Sequence, residues 1–211
     1  MTSRLPIALT LGAVVAAALV GCASTAAPRP STITSTTSDT APAPTPTTTG
    51  PARVGPASSA TGAIRAAAAT VRGYYAASFN SGHAGGDRLD LVTPWATGSA
   101  LENERSLASY LQRERLRLDG EPTAWTLNAS RSSTARTDGT EGAPELLYGA
   151  ARLVGCIEST NTPVGDGAPA WTTKGSHTSI DWTVLYSPTQ QHWLVASSIS
   201  PSTVLDPGSC G

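Results

Sequence analysis

From residue 23 to residue 59 the chain is almost wholly Ala, Pro, Ser, Thr and Gly, and this stretch limits what the remainder can be. Its only charges are Arg29, Asp39 and Arg53, and apolar residues beyond alanine are rare. Such a segment buries too little surface to offset the entropy of ordering it. Proline keeps it extended, so it is expected to act as a disordered, semi-stiff spacer. Stretches of this composition often carry O-glycans. The foldable part is then residues 60–211, about 150 residues, which is the size of one ordinary domain with its own core.

What precedes the spacer looks like an export signal. Met1, Thr2, Ser3 and Arg4 make a short polar start with one positive charge, and residues 5–20 are apolar and uncharged. That run is short for a membrane span, which needs ~20 apolar residues, and has the length of a signal-peptide core. The motif Leu19-Val20-Gly21-Cys22 resembles the lipobox of bacterial lipoproteins. In that family the chain is cut before the cysteine, whose thiol is diacylated. The resemblance implies a signal peptide over residues 1–21, lipidation (palmitate) at Cys22, and a lipid-anchored position on the extracytoplasmic face of the cell membrane. Two acyl chains suffice for stable anchoring.

Three cysteines fit that location. With Cys22 taken by lipid, Cys156 and Cys210 remain in an oxidising compartment, where a disulfide is the default. It would close a loop of more than fifty residues, for which the chain-entropy model gives ~4 kcal/mol. A catalytic thiol is the competing reading, and the even count of remaining cysteines argues against it. The formal net charge is −1, so there is no electrostatic case for nucleic acid.

Within residues 60–211 helices come first. Ile64, Ala68, Val71, Tyr75 and Phe79 recur at spacings of three and four, a single apolar stripe ending at Asn80-Ser81-Gly82. A short helical turn is expected over residues 87–92. Ser99-Ala100-Leu101-Glu102 reads as a capping box, opening a helix to about Leu118 with Leu101, Leu107, Leu111 and Leu118 inward. Asp119-Gly120 closes it. Strands follow over residues 123–137 and 146–160, then 178–186 and 192–200. The last two form a hairpin around Pro188-Thr189-Gln190-Gln191. Pairing Ser187 with His192 puts Ile180, Trp182, Val184 and Tyr186 on one face with Trp193, Val195 and Ile199. Asp181, Thr183, His192 and Ser198 fall on the other face, and a slip of one residue would mix the two sets. Helices followed by antiparallel strands make an α+β domain, with the helices packed on a curved four-stranded sheet.

A long helix, a short one, a third and then four long strands resemble the nuclear transport factor two-like, or cystatin-like, α+β cone. That family's sheet wraps its helices and leaves a pocket at the open end. Exported versions behind an anchor are similar to mammalian-cell-entry-associated proteins and to assembly factors of type IV secretion. The resemblance implies a binding or assembly domain for a partner protein, in a cell-envelope complex, or for a small apolar ligand. The alternative it implies is a pocket enzyme of isomerase, cyclase or hydrolase type using Asp181 or His192.

The chemistry-bearing residues are sparse. His177 and His192 lie at opposite ends of the hairpin strands, ~25–30 Å apart at ~3.3 Å per residue, too far to share an ion. His83 has no ligand spacing around it, so no metal and no cofactor is expected. Asp181 is the acid placed mid-strand between Ile180 and Trp182: in a cone fold it is a candidate pocket base, and otherwise it faces water on the polar side of the sheet. No Gly-x-Ser-x-Gly elbow, Gly-rich phosphate loop or Walker lysine occurs. Of five tryptophans, Trp125, Trp182 and Trp193 sit on strands as core. Trp95 and Trp171 sit in loops, as candidates for a pocket mouth or partner site.

Overall fold

The computed structural model describes residues 50–138, 144–168 and 176–200, and for Ser176 and His177 the backbone alone. Cys22, Trp171 and Cys210 lie outside the described residues.

Helix α1 spans Ala60–His83, with Ser59 as its N-cap accepting from the Gly62 amide at 3.1 Å. It runs one residue past the expected stop. The left-handed positions that end it are Gly85 and Gly86, at φ 69° and 86°. Its buried seam is Ala63, Ala67, Val71, Tyr74 and Ala77, rotated from the predicted stripe. Ile64, Ala68 and Tyr75 flank the core, half-buried. Alanines along the contact let the helix axis come close to the sheet, and the larger residues then fill the sides. Closeness of the same kind occurs at Gly73, where a Cβ would overlap the indole ring of Trp95. Trp95 is thus packed against α1.

The expected turn over residues 87–92 is a 3-10 turn at Leu89–Leu91. Helix α2 spans Gly98–Glu114 and differs from expectation at both ends. The capping box does not form: Thr97 is the N-cap, and Ser99 Oγ donates to the carbonyl of Ala196 at 3.4 Å. Tertiary docking against the last strand takes the serine that local pattern assigned to the helix. At the other end, Arg115 adopts the left-handed conformation at φ 53° and stops the helix. The following residues, Arg117–Asp119, form strand β1, which pairs antiparallel with β5, Thr162–Val164, inside a stretch expected to be loop.

The main sheet contains β2 (Ala124–Leu127), β3 (Ser133–Thr137), β4 (Leu146–Ser159), β6 (Ser176–Ser187) and β7 (His192–Ile199). Their order is β2-β4-β6-β7, all antiparallel, and β3 pairs with the other end of β4. The fold is mixed α+β, with a fifth strand in the main sheet because the single strand expected over residues 123–137 is broken at Asn128. The hairpin closes as expected, with Ser187 opposite His192, Tyr186 opposite Trp193 and Val184 opposite Val195. Beyond that a bulge intervenes: Thr183 faces Ser197, Trp182 faces Ser198 and Asp181 faces Ile199. One extra residue inverts the side-chain parity. Ile199, expected on the core face, therefore sits on the opposite one, 62% exposed.

The core lies between α1 and one face of the sheet. Leu153, Trp182, Val184, Trp193 and Val195 from the strands meet Ala63, Ala67, Val71 and Tyr74 from the helix. Trp125 and Trp182 pack edge to face at 5.2 Å, and the Trp182 indole N–H donates to Tyr75 Oη at 3.1 Å. The segment before α2 covers the outer edge of β7. Thr97 N donates to Val195 O at 2.8 Å, and Val195 N to Trp95 O at 2.9 Å.

Part of the stretch read as spacer is held by the domain. Val54 N donates to Gln191 O at 2.6 Å, Tyr186 Oη donates to Val54 O at 2.9 Å, and Ala57 packs against the core. Composition hides this, because the bonds use the backbone of Val54. No helix among the described residues is long and apolar enough to cross a membrane.

Candidate functional site

The sheet face turned away from α1 carries a cleft of about 400 Å³. It is built around the break between β2 and β3. Asn128 accepts from the Arg131 amide at 3.2 Å and from Ser130 Oγ at 2.8 Å, which closes a 3-10 turn at Ala129–Arg131. An asparagine competing with the ladder for backbone donors is the local reason the strand stops here. The turn is tied down to β4. Asn128 N donates to Val154 O at 2.8 Å, and Val154 N donates to Ser132 Oγ at 3.2 Å.

Strand alternation sets the rest of the wall. Gly155 faces the core opposite Ile180, so Val154 and Cys156 turn to the cleft side, with Thr126 and Ser179 beside Cys156. Val154 is 2% and Ser179 7% exposed. Glycine is required at 155, because a Cβ there would collide with the carbonyl of Thr126. The lining contains Arg131 and several hydroxyls, and no carboxylate among the described residues.

The residues singled out by sequence do not converge. Asp181 lies on the same face as the cleft but pairs with Arg152 across β4 and β6. His192 begins β7, seven residues from the position opposite Asp181, or ~23 Å along the strand. Its Nδ1 lies 3.0 Å from Gln190 O. Neither residue lines the cleft, nor the smaller hollow between Val54 and Tyr186. The register sets His177 opposite Glu158 and His192 opposite Ser187, so the two histidines are at the two ends of β6. Among the described residues no three His, Cys, Asp or Glu side chains cluster as metal ligands.

One ionisable group escaped the sequence reading. Glu104 of α2 is 8% exposed and faces α1. Tyr74 Oη donates to its Oε1 at 2.6 Å, and Ser78 Oγ approaches both carboxylate oxygens at 2.9 and 3.0 Å. Burial pushes the carboxyl pKa up, against the lowering effect of those two hydrogen bonds. Burial and then the neighbouring charge of Glu104 hold the Tyr74 hydroxyl far above the ordinary tyrosine range. Tyr75 is pushed up to about 12, chiefly by burial. The signal was present in the spacing of Ala100, Glu104, Ala108 and Leu111, the four buried positions of α2. Leu101 and Leu107 lie on a neighbouring, half-buried stripe.

No family model matches this chain, and no curated protein does. Among solved structures it is similar to the intermembrane space region of chloroplast protein ARC6. That likeness covers 66% of this chain and 96% of that one, at 14% identity and a TM-score of 0.45.

Proposed function

We propose that the protein is an extracytoplasmic lipoprotein, anchored through Cys22, whose α+β domain is a non-catalytic binding or assembly module. Its domain uses the cleft beside the Asn128 turn and takes its place in a cell-envelope complex. The anchor rests on the apolar leader and the motif Leu19-Val20-Gly21-Cys22. The binding reading rests on one observation: the cleft wall is made of a tied-down turn, hydroxyls and a single guanidinium. The ionisable residues that would serve the enzymatic alternative, Asp181 and His192, stand elsewhere and far from each other. A second support is the rigidity of the wall, since two hydrogen bonds join the turn to Val154 of β4 and a third, from Ser132 Oγ to Asn128 O, closes the turn on itself. Preorganised sites of this kind lose little entropy on binding.

Two measurements test it. Metabolic labelling with a fatty-acid analogue marks the wild type and leaves Cys22→Ala unlabelled; labelling of the variant would sink the anchor. Affinity capture of the anchored protein from its own membrane recovers a specific envelope partner, and loses it when Thr126→Trp, at an exposed position on the cleft side, fills the cleft. Capture indifferent to that variant, in protein shown to be folded, would remove the cleft from the proposal.

A further inference from the structure

We infer that the cleft is an oxyanion site, taking a phosphate or carboxylate group through Arg131 with hydroxyl donors from Ser179 and Thr126; this rests on the binding reading above. Four observations point to it.

Arg131 lines the cleft and is exposed, and the described residues give it no acidic partner. The ion pairs among them use Arg88, Arg113, Arg136 and Arg152 instead. A guanidinium offers a planar fork of N–H donors that matches a carboxylate or phosphate edge. Its backbone is fixed, because its amide donates to Asn128 and the turn is bonded to β4.

Ser179 supplies the second, independent observation. It is one of the few buried polar residues, 7% exposed, and it lines the cleft. No hydrogen bond joins its hydroxyl to any described residue. The hydroxyl opens on the cleft, where it is free to donate to a ligand oxygen. Thr126, its neighbour across Cys156, also has an uncommitted hydroxyl facing the same space.

Charge fits as well. Two acids share this face at two residues' remove: Asp181, which Arg152 neutralises, and the exposed Glu158, whose backbone pairs with that of His177 at the far end of β4. The lining itself holds one cation and no acid. Size completes the match: about 400 Å³ lies within the range of small-molecule sites, so the oxyanion comes with a compact body set against Val154 and Leu127.

A free phosphate and a phospholipid headgroup present the same oxyanion, and the test separates them. The detergent-solubilised full chain is titrated at constant ionic strength with inorganic phosphate and with acetate, chloride serving as control, and followed by backbone amide shifts. A second arm uses vesicles of phosphatidylglycerol against phosphatidylcholine. Saturable shifts confined to Asn128, Ser130, Arg131, Gly155 and Ser179 are expected with at least one of the anions. Arg131→Gln weakens binding about ten-fold or more, the loss of one charge-assisted contact. Ser179→Ala weakens it about three-fold or more. Arg113→Gln, remote from the cleft, leaves it unchanged. Response to the phosphatidylglycerol vesicles alone identifies a lipid headgroup as the source and retains the site. Shifts that do not saturate, or that Arg113→Gln reduces as much as Arg131→Gln, overturn the inference. Failure here with partner capture intact overturns the oxyanion site alone; failure of capture overturns the binding reading.

Discussion

Glu104 offers the sharpest test of how this core is held, because two substitutions separate its charge from its hydrogen bonds. Glu104→Ala removes the acceptor of the Tyr74 hydroxyl, which is 4% exposed, and of Ser78 Oγ. Each orphaned buried donor costs about 1–3 kcal/mol. Ser78 is only half-buried and recovers part of its share from water, so the sum is about 2–4 kcal/mol. For a domain of this size that lowers Tm by roughly 5–15 °C. Glu104→Gln keeps the shape: its carbonyl accepts from Tyr74 and its amide donates to Ser78 Oγ. It also removes the cost of a buried charge that has no cation among its hydrogen-bond partners. The variant is expected within about 1 kcal/mol of the wild type at neutral pH, or above it.

The pH dependence has a definite sign. Burial raises the Glu104 pKa in the folded state, so the folded chain holds this proton more tightly than the unfolded one. The associated stability is full below the ordinary glutamate range and is lost as pH rises through the raised folded value. Tm of the wild type should therefore fall relative to Glu104→Gln as pH rises from about 4 to about 8. Thermal melts followed by circular dichroism across that range measure both effects. A Gln variant as unstable as the Ala variant, or a Tm difference independent of pH, would refute the reasoning.

Three further outcomes follow from the structure. Gly73→Ala should destabilise the fold by about 1–3 kcal/mol, because the new Cβ meets the Trp95 ring; helix propensity alone would give a gain of about 1 kcal/mol, so the sign of the change in a denaturant melt decides between them. A chain beginning at Ala57 should melt below one beginning at Gly50, by about 1–2 kcal/mol for the two lost bonds of Val54; equal melting would mean that these bonds contribute nothing. Mass spectrometry of the non-reduced, digested protein should recover the Cys156 and Cys210 peptides linked, and reduction should cost up to about 4 kcal/mol; two free thiols under oxidising conditions would remove the disulfide from the account.

The elements that the sequence made legible are those whose signal is local. Alternation along residues 178–186 and 192–200 fixed the hairpin and its Ser187–His192 register, because a slip would move every tryptophan and valine to the wrong face. Helix periodicity located α1 and α2, and the richness of residues 146–160 in apolar side chains located β4.

What depended on tertiary contact was not legible. Which face of α1 is buried followed from how closely alanines let it approach the sheet. The start of α2 followed from Ser99 bonding to Ala196, ninety-seven residues away. The bulge after Val184 reversed Ile199, and no local pattern encodes one extra residue opposite a partner strand. The cleft is of the same kind. Arg131 and Ser179 stand forty-eight residues apart in sequence and meet only because β4 runs between β2 and β6. Local pattern reports what a residue prefers; burial and partnership belong to the chain segments that fold against it.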